Sequence, residues 1–267
     1  MLPPRHALVA LPLVAAVLCG CPPRPVLDFG RDGEAKSADE LLKRVALAES
    51  QVVALKGDGA LYIDAPQGKG SVGLFAAVAH PAWLHLEQLD FFNRPQGVLV
   101  TDGTDFGLYD AKEGRYYRGP ASPANLGRFL PIVLPPEELV ALMLGRAPRI
   151  TAESTSLSVD PALGVYVLTL RRGPVTQVLH VQPPSHRVVK STVQGARAYD
   201  LELSDLRDSG SVTLPRRVRL VAADAQVTVE LTWKDVALNE APDLTLFERT
   251  APDDVPVTEV DERGVPR

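Results

Sequence analysis

From residue 53 onward the chain alternates apolar and polar side chains at a period of two, run after run, with turn chemistry in between. The clearest stretches set Tyr199, Leu201 and Leu203 against Asp200, Glu202 and Ser204, and Val227, Val229, Leu231 and Trp233 against Thr228, Glu230 and Thr232. Successive strand residues point to opposite faces, so this pattern describes a sheet with one dry and one wet face. Segments 60 to 64, 71 to 80, 83 to 89, 97 to 101 and 106 to 109 form a first series. Segments 150 to 159, 164 to 170, 175 to 181, 187 to 193, 199 to 203, 212 to 220 and 227 to 233 form a second. Turn residues such as Pro66, Gly68, Asn93, Asp102, Gly103 and Gly114 separate the strands of the first series. About a dozen strands joined mainly by short turns predict a mainly β (α+β) fold, an antiparallel half-barrel or barrel.

Helices punctuate the strands. Ser37-Ala38-Asp39-Glu40 has the form of a capping box, and Leu41, Leu42, Val45, Ala48 and Val52 follow at helical spacing. Ser122-Pro123 offers an N-cap with proline at the first helical position. After Pro135-Pro136-Glu137-Glu138, the residues Leu139, Val140, Leu142, Met143 and Leu144 are apolar nearly all round before Gly145 stops the helix. A surface helix keeps only a stripe of about 100° apolar, so this one is buried or covers something apolar.

The first residues read as an address. Arg5 precedes an apolar run over residues 7 to 18, interrupted by Pro12 and too short to span a bilayer. Leu18-Cys19-Gly20-Cys21 resembles the bacterial lipobox. The expectation is a signal peptide over residues 1 to 20 and acylation, with chains such as palmitate, on Cys21 as the first mature residue. Residues 21 to 36 are then a lipidated tether. Pro22, where many diderm lipoproteins retained in the inner membrane carry Asp, favours the outer membrane, facing the periplasm. Both cysteines lie in this segment, so the remaining chain has no intrachain disulfide.

Composition narrows the function. A net charge of −5 does not advertise the basic face that nucleic acid demands. Catalytic signals are poor as well. Gly68-Lys69-Gly70-Ser71-Val72-Gly73 matches a dinucleotide fingerprint only formally, because a strand and not a helix follows it. His80, His85, His180 and His186 show none of the short spacings of metal ligands. The reading is a non-enzyme without metal or cofactor. Arg216, Arg217 and Arg219 could meet lipid head groups, but their alternation with Val218 and Leu220 reads as a solvated strand face.

Several stretches carry a resemblance. They are the strand series with Asp102-Gly103 and Phe106, then Tyr116-Tyr117-Arg118-Gly119, the helix from Pro136 to Gly145 with Pro148, and Leu246-Phe247 with Asp254-Val255-Pro256-Val257. Together they resemble the LolA/LolB-like bacterial lipoprotein-carrier family over roughly residues 37 to 260. The resemblance implies an open antiparallel half-barrel of about eleven strands, with helices plugging the concave face around an apolar cavity. Residues 37 to 250 would form that domain and residues 251 to 267 a loosely held acidic, proline-rich tail. Trp83, Leu86, Leu139, Leu142, Met143, Tyr166 and Leu168 would line the cavity for acyl chains. In membrane-bound members an early inter-strand loop projects an apolar side chain toward membrane and cargo; Phe91 and Phe92 match it by position, although both could instead fold into the core.

The function implied is a monomeric, membrane-anchored envelope lipoprotein that binds acyl chains or other lipoproteins, in lipoprotein localisation to the outer membrane. The alternative is an assembly lipoprotein using the same fold as a protein-interaction platform. The state of the apolar helix separates them: a carrier needs a cavity beside it, whereas solid packing against the sheet with no space between overturns that carrier and puts the platform in its place.

Overall fold

The computed structural model describes residues 27–267 except residues 211 and 242. The expected signal peptide, Cys21 and the first part of the expected tether, residues 21 to 26, lie outside the described residues.

The helix predicted after Ser37 spans Ala38–Ser50 (α1). Ser37 Oγ accepts from the Glu40 amide at 3.1 Å, and Glu40 Oε2 accepts from the Lys36 amide at 2.8 Å. Two amides that the first helical turn cannot satisfy are thereby bonded. The apolar positions Leu41, Val45 and Ala48 face the core.

The first strand series comprises Ala54–Ala65 (β1), Gly68–Ala79 (β2), Trp83–Leu89 (β3), Pro95–Thr101 (β4), Asp105–Asp110 (β5) and Arg115–Pro120 (β6). Two helices follow, Pro123–Leu126 (α2) and Pro136–Met143 (α3). The second series comprises Ser154–Asp160 (β7), Val165–Arg172 (β8), Val175–Gln182 (β9), Arg187–Gln194 (β10), Tyr199–Ser209 (β11), Val212–Ala222 (β12) and Val227–Leu238 (β13), and Val257–Glu259 (β14) closes the chain. All fourteen form one open sheet in the order β14-β6-β5-β4-β3-β2-β1-β13-β12-β11-β10-β9-β8-β7. Neighbours are antiparallel hairpins with two exceptions: β1 joins the two series by pairing with β13, and β14 runs parallel to β6.

The strand number corrects the expectation of about eleven. Two of the additional strands are β6, a short strand behind the Glu113-Gly114 turn, and β14, where proline and charge hide the pattern. The acidic tail is corrected with it. Val260 is buried, its amide donates to the Arg118 carbonyl, and Asn125 Nδ2 donates to the Asp261 carbonyl at 2.9 Å. The tether also ends earlier than expected, since Phe29 packs on Tyr166 and Ala35 is buried in the main core.

The helices lie on the dry side of the sheet, and one apolar cluster runs from α1 through α3 to the inward residues of both series. A second, smaller cluster of Ala77, Val100 and Phe247 sits on the other side. Strand direction sorts the turns onto two rims. One rim carries the turns at 66 to 67, 90 to 94, 111 to 114, 195 to 198 and 223 to 226, as the register of each hairpin requires. The opposite rim carries the turns at 80 to 82, 102 to 104, 161 to 164 and 183 to 186.

Candidate functional site

The loop between β3 and β4 presents two aromatic rings to solvent. Phe91 is 94% exposed and Phe92 is 72% exposed. Their centroids are 5.4 Å apart in an edge-to-face pair, and the Arg94 guanidinium lies over Phe92 at 5.2 Å. The loop is held from below by Asp90: its Oδ1 accepts from the amides of Phe92 at 2.8 Å and Arg94 at 2.9 Å, and its Oδ2 pairs with the Arg94 side chain. Those bonds keep the Asp90 carboxyl below the usual carboxylate range. Of the two placements left open by the sequence, the rings take the protruding one.

An apolar groove opens on the same rim. Its narrower part, about 210 Å³, lies between Pro131, Ile132, Val133 and Leu134 on one side and Ala198, Tyr199, Leu220 and Ala222 on the other. A wider part of about 660 Å³ continues along Leu134, Glu138, Arg149, Ile150, Arg172, Arg197 and Tyr199. That volume falls in the range of small-molecule sites. Burial pushes the Glu138 carboxyl up, against the opposing pull of Arg197. Burial, reinforced by Glu138, pushes the Tyr199 hydroxyl up to about 12. A groove with an apolar half and a half carrying ionisable groups suits an amphiphile.

The predicted cavity stands elsewhere and is filled. Leu86, Leu139, Leu142, Met143, Tyr166 and Leu168 are brought together in the main core, all buried. Leu86, Leu139, Tyr166 and Leu168 are at most 2% exposed, which leaves no room for an acyl chain beside them. The helix argument omitted the curvature of the sheet. α3 meets β2 and β3 on one flank, and Gly145 just beyond it lies against Leu214 and Pro215 of β12. The sheet itself covers the second side of the helix, and no ligand is needed to do so.

Trp83 is corrected outright. It stands on the other side of the sheet, edge-to-face with Phe247 at 5.3 Å. Trp83 and Leu86 are three positions apart in one strand and so face opposite ways. The groove residues Ile132, Leu134, Tyr199 and Leu220 were not anticipated from sequence. Their signal was the run Pro131-Ile132-Val133-Leu134-Pro135, apolar without helical or strand period and closed by prolines.

Among the described residues no group of three or more His, Cys, Asp or Glu side chains is placed to hold a metal ion, and no helix is long and apolar enough to cross a membrane.

No family model and no curated protein matches this sequence. Solved structures do. A DUF1329 family protein from Desulfovibrio piger superposes with a TM-score of 0.56 at 12% identity, over 79% of this chain and 95% of that one. A domain named for outer membrane lipoprotein sorting, from Vibrio parahaemolyticus, superposes with a TM-score of 0.50 at 10% identity, over 79% of this chain and 97% of that one. A LolA superfamily protein from Nitrosomonas europaea reaches 0.49 at 13% identity, over 80% and 98%. The fold is LolA/LolB-like. In this LolA/LolB-like sheet, the groove and the Phe91-Phe92 loop share one rim, and the region inside the curve is occupied by α3.

Proposed function

We propose that this chain is a lipoprotein of the bacterial envelope, acylated at Cys21, that binds an acyl chain of a lipid or of another lipoprotein in the rim groove and acts without catalysis. The observation that carries the reading is the shared rim: an apolar groove opens on the rim of the sheet from which two solvent-exposed phenylalanines also project. Exposed aromatic rings held in place by the Asp90 hydrogen bonds are costly unless they meet an apolar surface. The occupant of the groove and the contact of the rings are then one object, a lipid-bearing cargo. Burying an acyl tail is worth about 0.8 kcal/mol per methylene, so the groove walls and the rings together supply the driving force. Delivery of such cargo to the outer membrane, and residence there, extends the same reading.

The solid packing of α3 favours a second reading, in which the fold is an assembly platform and the rim binds a protein. A fluorescent fatty-acid probe separates the two. The carrier reading expects saturable binding that is lost in Leu134→Glu and kept in Thr228→Glu, which sits on the wet side of β13. A folded protein that binds no probe leaves the platform.

A further inference from the structure

The two parts of the rim groove join at Arg197 and Tyr199, which line both. The walls of the narrow part are otherwise apolar apart from Asp224, exposed in the turn at 223 to 226. Glu138 lines the wide part alone, half-buried in the first turn of α3. From the apolar end, the groove therefore presents its groups in a fixed order: hydrocarbon, then a guanidinium with a phenol, then a carboxyl.

The fold leaves the polar members of that series without partners. Arg197 is exposed in the turn at 195 to 198. It lies near enough to Glu138 to draw its proton affinity down, yet among the described residues the two make no ion pair, and no hydrogen bond reaches the Glu138 carboxyl. The Tyr199 hydroxyl is likewise unbonded among the described residues, and burial keeps its proton in place, so it is a standing donor. A carboxyl drawn part-way out of water costs free energy until something bonds it. The other charges of the wide part are balanced: Arg149 pairs with the buried Glu49 at 2.6 Å, and Arg172 is set against Glu153. A purely anionic ligand would be opposed by Glu138, and a purely cationic one by Arg197.

We infer that the groove takes an amphiphile with a zwitterionic head group of the phosphoethanolamine kind, its phosphate on Arg197 and the Tyr199 hydroxyl, its ammonium on Glu138 and its tail along Ile132, Leu134 and Leu220. The inference rests on the groove reading above and adds the class of head group. Covalent order matches spatial order, because the phosphate of such a molecule lies between tail and ammonium just as Arg197 and Tyr199 lie between the apolar walls and Glu138. The guanidinium fork can hold two phosphate oxygens at once, and an ammonium brings the donors that the carboxyl lacks.

The test is calorimetric titration of the full chain with dodecylphosphoethanolamine, dodecyl phosphate and dodecyl maltoside below micelle-forming concentrations, and with free phosphoethanolamine. The zwitterionic amphiphile should bind at least about tenfold more tightly than either of the other two, the worth of a hydrogen-bonded charge. Glu138→Gln keeps the shape and removes an unpartnered charge, so it should stay folded and lose the advantage over dodecyl phosphate. Arg197→Gln, in an exposed turn, should lose the advantage over dodecyl maltoside. Equal binding of the three amphiphiles, tighter binding of dodecyl phosphate, or a preference that survives both variants overturns the zwitterionic site and leaves the acyl reading standing. A preference lost in Asp224→Asn but kept in Glu138→Gln overturns the assigned order of the head group. Free phosphoethanolamine binding as tightly as its dodecyl ester keeps the head-group site and overturns the amphiphile. Binding of no amphiphile overturns the acyl reading itself.

Discussion

The hydroxyl of Tyr166 accepts a hydrogen bond from the buried backbone amide of Ala35 at 2.7 Å, across 131 residues of sequence. Phe29 packs on the same ring at 5.4 Å. One side chain of β8 thus fixes the segment that leads into α1. Tyr166→Phe keeps the ring packing and leaves the amide without an acceptor, which costs about 1 to 3 kcal/mol. Urea unfolding should show a lower midpoint at unchanged slope.

Gly107 in β5 leaves room for Tyr116, its diagonal neighbour on β6. A Cβ there would lie 1.9 Å from the Tyr116 hydroxyl, an atom that is buried and unpartnered. Gly107→Ala should destabilise by about 1 to 3 kcal/mol through overpacking. Tyr116→Phe should be neutral or stabilising, because it removes a polar atom that burial leaves without a bond. Thermal melts of the two variants check both directions.

Glu138 gives a pH signature. Its folded-state affinity for a proton is raised above the ordinary value of 4.5, first by burial. Above that value the folded state therefore holds more protons than the unfolded one, and this residue's contribution to stability falls as pH rises through the window up to its raised folded value. Glu138→Gln lacks that slope. The variant should be more stable than the wild type at pH 7, with the gap closing below about pH 4.5. Denaturation curves at pH 4, 5.5 and 7 measure it.

Phe91→Ser together with Phe92→Ser should leave stability within about 0.5 kcal/mol, as expected for exposed positions. It should weaken binding to phospholipid vesicles, a probe for any apolar partner. Undiminished co-flotation would assign the rings no role in contact.

Cys21→Ala tests the proposed anchor. No other cysteine follows it, so the variant should lose the acyl mass and partition away from membranes. An unshifted mass and unchanged fractionation would remove the lipobox reading.

The β architecture was legible because alternation at period two survives wherever one face is wet: β11 and β13 match their sequence pattern residue for residue. Helix starts were legible through their caps, at Ser37 and at Ser122, whose Oγ accepts from the Asn125 amide at 3.2 Å. β14 was hidden because an edge strand of three residues pairs on one side only and carries little period. The candidate site was mostly hidden, since a groove wall is assembled from residues far apart, such as Leu134 and Leu220. Parity alone could have separated Trp83 from Leu86.

The chain upstream of α1 enters beside the turn at 183 to 186, where a Cβ on Gly30 would lie 2.7 Å from Pro184. The aromatic loop stands at the far ends of the strands, and a twelve-residue strand such as β1 is roughly 40 Å long. Five residues lie between Cys21 and Leu27, and the six Cα steps reach about 20 Å at full extension. A domain held by acyl chains on Cys21 would therefore stand with Phe91 and Phe92 pointing away from the bilayer that holds it. The molecule then has a polarity, rooted at one end and receptive at the other, and its aromatic tip would greet what crosses the periplasm and not the lipid beneath its own foot.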